Sequence, residues 1–152
     1  MPVVNRSALL PYPAADVFAI INDVRRYPEF LPWCAEAVVV EETEQLVTAE
    51  LALRTHGIEE RFTTRNLLEP YERIVLELVT GPFRRFSGSW TFQRLGADEG
   101  CKVALALDFE FGGARAIVTR AFAGVFVGAT DRLVDAFCER AHELLGSSPG
   151  ES

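Results

Sequence analysis

Cys101, Val103, Leu105, Leu107, Phe109 and Phe111 occupy alternate positions, with Lys102, Ala104, Ala106, Asp108 and Glu110 between them. A period of two with one apolar set predicts a strand buried on one face only. The same rhythm recurs at Val3–Leu10, Ala35–Glu42, Leu46–Arg54, Ile58–Leu68, Arg73–Thr80 and Phe86–Leu95. Turn-forming stretches separate these runs: Thr43–Gln45, His56-Gly57, Glu69–Glu72 and Gly96–Gly100. Short connections between one-sided strands predict an antiparallel sheet.

Two segments change period. Val17, Phe18, Ile21 and Val24 recur at helical spacing in Ala14–Val24, with Pro13 placed where a helix tolerates it. Ala114–Leu145 reads as one long helix. Ile117, Ala121, Val125, Ala129, Leu133, Phe137, Ala141 and Leu145 form an i+4 row, flanked by Val118, Phe122, Phe126, Val134 and Cys138. Gly146 is the expected stop, and Ser147–Ser152 a disordered tail. The order β-α, then strands, then a long helix predicts one α+β domain over 1–146, with the sheet wrapped on the terminal helix.

One apolar stretch fits neither period. YPEFLPWC, Tyr27–Cys34, holds three aromatic residues, a leucine and two prolines, which break regular structure. Proline reduces the entropy lost when such a segment orders against something apolar. That surface is the mouth of a cavity, a membrane interface suited to Trp and Tyr, or the core itself. The expected answer is a mixture, with some side chains anchoring and others gating.

Composition narrows the classes. Of 152 residues, 49% are hydrophobic and 24% charged, ordinary for a globular chain. The net charge of −7 disfavours broad binding to nucleic acid, and no DNA partner is expected. The chain start lacks the apolar core of a secretory leader, and no apolar run is long enough to span a bilayer. Cys34, Cys101 and Cys138 are an odd, scattered set, expected as reduced thiols in the cytoplasm. His56 and His142 lack partners at metal-ligand spacing, and no nucleophile elbow or phosphate loop appears. No catalytic residue, metal or required cofactor is expected, and the chain reads as a binding protein and not an enzyme.

YPEFLPWC after the first helix, GPFRRFSGSWTF (Gly81–Phe92) and LVDAFCERA (Leu133–Ala141) stand in an order that resembles the coenzyme-Q-binding branch of the START-like, helix-grip superfamily. Within it the chain is most similar to ribosome association toxins of the RatA type, from Pro2 to Gly146. The resemblance implies a curved antiparallel sheet gripping the C-terminal helix around an apolar cavity. It implies ubiquinone or a related isoprenoid lipid as ligand, in support of respiration. The toxin branch implies instead binding to the large ribosomal subunit and a block on subunit joining. Polyketide cyclases share the fold and supply a third, weaker alternative.

Within that frame, Trp33, Phe62, Thr64, Leu76, Phe86, Trp90, Leu105, Phe109, Phe122 and Phe126 are the expected ligand-binding residues. Gly88, Gly124 and Gly128 are expected to leave room in the two walls. Thr64 and Asn66 share the Phe62 face. They either hold a ligand head group or hydrogen-bond each other and water. Phe30, Leu31, Phe83, Arg84 and Arg85 are the expected contact with a membrane surface or the ribosome. Arg84 and Arg85 are placed in a strand-strand turn; if they sit at the same end of the fold as Arg25-Arg26, the two pairs make a local positive rim.

Overall fold

The computed structural model describes residues 3–55, 57–97, 99–112 and 120–146, apart from the side chains at 55, 58 and 120–122. The chain runs β1 (Val3–Leu10), α1 (Ala14–Asn22), a 3-10 turn (Val24–Arg26), α2 (Tyr27–Phe30) and β2 (Cys34–Glu42). It continues with β3 (Leu46–Thr55), β4 (Ile58–Glu69), β5 (Arg73–Thr80), β6 (Phe83–Leu95) and β7 (Gly100–Phe111). Two helices follow, α3 (Arg120–Asp131) and α4 (Leu133–Leu145). The strands make one seven-stranded sheet in the order β1-β7-β6-β5-β4-β3-β2, and every neighbouring pair is antiparallel. This is the expected α+β helix-grip architecture, with its core between the sheet's inner face and the helices.

The alternation on β7 is realised: Cys101, Val103, Leu105, Leu107 and Phe109 are buried, while Lys102 and Ala106 face out. β6 departs from its expected start. It begins at Phe83, because a register shift between Phe83 and Arg85 lets two residues occupy one step of the ladder. Phe83 and Phe86 therefore both point inward, although three positions apart. Arg84 and Arg85 consequently lie in the strand. The turn before it is Gly81-Pro82, where Gly81 takes φ +156 and an added Cβ would come 2.7 Å from Phe62 Cβ.

Tyr27–Cys34, expected to be irregular, begins with a helical turn. Pro28 sits in the first turn of α2, where its missing N–H costs nothing. The N–H of Leu31 then bonds the carbonyl of Tyr27 (2.9 Å), and that of Cys34 bonds Leu31 (3.0 Å).

The terminal helix is two helices. The Thr130 hydroxyl donates to the carbonyls of Phe126 and Val127, both at 3.0 Å, a back-bond that bends helices. Arg132 then takes φ −103 and ψ 1, and its N–H is shared between Gly128 and Ala129. The expected helical start at 114–119 and the expected tail at 147–152 lie outside the described residues.

Candidate ligand cavity and its entrance

A cavity of about 80 Å³ lies between the inner face of the sheet and the helix pair. Eight of the ten expected ligand-binding residues line it: Trp33, Phe62, Thr64, Leu76, Phe86, Trp90, Leu105 and Phe126. Phe109 does not. It is fully buried among Phe83, Phe111 and Phe126, with ring centroids 6.2, 5.6 and 4.9 Å away, and packs the end of the core beyond the cavity. The Phe122 side chain lies outside the described residues. The reading of the sequence missed Tyr27, Leu53, Ala129, Thr130 and Phe137, which also line the space. Phe137 and Ala129 stood in the i+4 row, so the signal was present. Tyr27 belonged to a segment without a period and gave none.

The polar groups of the cavity are few. Thr64 Oγ1 donates to Asn66 Oδ1 at 2.9 Å, so these two neighbours on β4 do bond each other. Thr130 directs its hydroxyl to its own helix. The Tyr27 hydroxyl donates to the carbonyl of Ile21, and burial pushes its pKa upward, which keeps it neutral. No charged side chain lines the cavity among the described residues.

The glycines do not act as expected. A Cβ at Gly88 would collide with the Leu107 side chain, so this glycine admits a close approach and adds no space. At Gly124 and Gly128 a Cβ would meet nothing within 4 Å. Both face a second, open space of about 720 Å³ outside the core. This groove runs between Phe30, Leu31, Pro32 and Trp33 on one side and Gly124, Val125, Gly128 and Ala129 on the other. Trp33 and Ala129 belong to both linings, so they separate groove from cavity.

The Tyr27–Cys34 segment is held on both sides. Phe30 packs edge-on against Tyr27 and Phe137, at centroid distances of 6.0 and 5.4 Å. The Arg140 guanidinium lies 4.9 Å from the Phe30 ring centroid and 2.8 Å from Glu29. The Trp33 carbonyl accepts from the Arg54 N–H of β3 at 2.9 Å.

The expected contact surface breaks up. Leu31 is 1% exposed and Phe83 6%, so both are core residues. Phe30 is half-buried under Arg140. Arg85 is held by Asp108 (2.6 Å) and Glu110 (3.3 Å). Arg84, 68% exposed, lies 3.7 Å from Glu110. Arg25 pairs with Glu42, and Arg26 with Asp23 and Glu29. Carboxylates therefore offset both arginine pairs, and no positive rim forms.

Among the described residues no group of three His, Cys, Asp or Glu side chains could hold a metal. No helix among them is long and apolar enough to cross a membrane.

A curved antiparallel sheet closed by C-terminal helices over an apolar cavity defines the START-like, helix-grip class. Residues 10–138 match the family described as polyketide cyclase/dehydrase and lipid transport, and the chain belongs to that family. The ribosome association toxin RatA of Pseudomonas aeruginosa is 46% identical over 143 residues, covering 94% of this chain and 97% of the relative. The coenzyme Q-binding protein coq10, mitochondrial, of Schizosaccharomyces pombe is 29% identical over 110 residues, 69% of this chain and 66% of its own. Among solved structures, the Zhui aromatase/cyclase from Streptomyces sp. R1128 superposes with a TM-score of 0.80 over 97% of this chain and 98% of its own. At 19% identity it shares the fold alone.

Proposed function

We propose that this protein binds the large ribosomal subunit and hinders its joining to the small subunit, in the cytoplasm. The observation that carries this reading is the 46% identity, along 94% of the chain, to a relative named for ribosome association. A chain of net charge −7 gains little from RNA phosphates at large. Its contact is then local, and Arg84 is the expected-contact residue with its side chain most open to solvent. The test is sedimentation of ribosomal subunits with added protein at fixed salt. The expected result is free subunits in place of joined ribosomes, protein travelling with the large subunit, and a weaker effect from Arg84→Glu. Joined ribosomes unchanged, with the protein left at the top of the gradient, overturn it.

A second reading concerns the cavity, and both readings fit one protein. The apolar space and the relative named for coenzyme Q binding support an apolar ligand, with ubiquinone the first candidate. At about 80 Å³ the cavity is below the roughly 300–1,000 Å³ of pockets that enclose drug-sized ligands. A ligand with an isoprenoid tail therefore needs the groove beside Trp33 as well. Solvent extraction of the purified protein followed by mass spectrometry tests it. A stoichiometric quinone upholds this reading, and an empty protein that also refuses added quinone removes it.

A further inference from the structure

We propose that the cavity selects a neutral amphiphile with a carbonyl group at its head, bound by the side-chain amide of Asn66. The proposal rests on the ligand-binding reading above and names the chemistry of that site.

Asn66 is 7% exposed and lines the cavity from β4. Its Oδ1 is taken by the Thr64 hydroxyl at 2.9 Å. Its two Nδ2–H donors have no partner among the described residues. Asn66 is therefore a half-used amide facing an apolar space. An amide that faces an apolar space with its donors unused offers them to an acceptor that a ligand brings. The hydroxyls of the lining are already spent, that of Thr64 on Asn66 itself. The Tyr27 hydroxyl donates to Ile21 and the Thr130 hydroxyl to its own helix. Asn66 thus brings two uncommitted polar hydrogens on one amide to the cavity, beside the single indole N–H of Trp33 and of Trp90.

Two exclusions follow. A hydrocarbon would leave both donors unmet. A carboxylate or phosphate head would carry its charge into a space lined, among the described residues, by no cation. Quinones, ketones and esters share what remains: an uncharged carbonyl oxygen that accepts. The cavity accommodates a compact head, and the route past Trp33 and Ala129 leads the tail into the groove.

The experiment uses the full chain and three probes of equal tail length: a decyl benzoquinone, decylbenzene and decanoate. Calorimetry supplies the affinities, and tryptophan fluorescence confirms the location, because Trp33 and Trp90 both line the cavity. The native protein is expected to bind the quinone and decylbenzene and to ignore decanoate. Asn66→Leu should weaken the quinone about five- to tenfold and leave decylbenzene unchanged. The infrared carbonyl band of the bound quinone should lie lower in the native protein than in Asn66→Leu. Equal losses for quinone and decylbenzene, with no band difference, overturn the proposal and leave the cavity reading standing. Tight binding of decanoate overturns it too. If no probe binds the native protein, the cavity reading itself falls, and the proposal with it. Should Asn66→Leu fail to fold, the native ranking decides: quinone ahead of decylbenzene upholds the proposal, and parity overturns it.

Discussion

The interior has a filled end and a hollow end, built from the same strands and helices. At the filled end the sheet sends in Phe83, Phe109 and Phe111, and α3 meets them with Phe126. The ring centroids lie 4.9 to 6.2 Å apart, mostly edge-to-face, the favoured aromatic geometry. At the hollow end the sheet offers Ala49 and Thr64, and the helices offer Ala129 and Thr130. Alternation decides which residues face inward at both ends. Side-chain size decides which end is solid. The difference teaches that small residues in both walls, set among large rings such as Phe62, Trp90 and Phe137, accompany the cavity, and that Gly88 adds none of its space.

The sharpest way to break this contrast is at the filled end. Phe109→Ala removes a fully buried ring in contact with three others, and should cost about 3–5 kcal/mol in denaturant unfolding. A cost under about 2 kcal/mol would mean that this end relaxes and is not close-packed.

A smaller effect is expected where the Tyr27–Cys34 segment meets α4. Arg140 is mostly buried and holds both Glu29 and the face of Phe30. Arg140→Ala should cost about 1 kcal/mol, since Glu29 remains half in water. It should also speed uptake of an apolar fluorescent probe, because Trp33 belongs to the same segment and stands between groove and cavity. Unchanged uptake with the stability loss present would mean that entry does not pass this segment.

Much of this was legible in the sequence, and the misses have physical causes. β1 and β5 fall where alternation put them, and the inner face of β7 is as expected. The start of β6 was hidden because a bulge breaks the period of two that reveals a strand. The break at Arg132 was hidden because the apolar row continues across it, while its cause is a hydroxyl turned back on its own helix. Eight of the ten expected residues line the cavity, and the six of them on strands were legible because the inner face is a parity rule. Parity could not say that Phe109 sits at the filled end, since depth along the strands depends on what the helix places opposite. Gly124 and Gly128 were misread for a related reason. A glycine carries no side chain whose polarity betrays its direction, and theirs is toward the groove.

The finest test adds matter to the hollow end. Ala49 is buried, lines the cavity and pairs across the strands with Thr64 and Val39. Ala49→Val adds two carbons at a position where β-branching suits the strand. Each buried CH₂ gives about 0.8 kcal/mol, and some strain is lost to the closer fit, so the net gain should be about 1 kcal/mol. The same variant should weaken binding of an apolar probe several-fold by occupying its space. Val103→Leu is the matching control, since Val103 is buried, lies away from the cavity and has no such space beside it. Overpacking there should cost about 1–3 kcal/mol and leave probe binding alone. If Ala49→Val instead destabilises as Val103→Leu does, the hollow end is packed as tightly as the filled one. The division of the interior would then be wrong at its root.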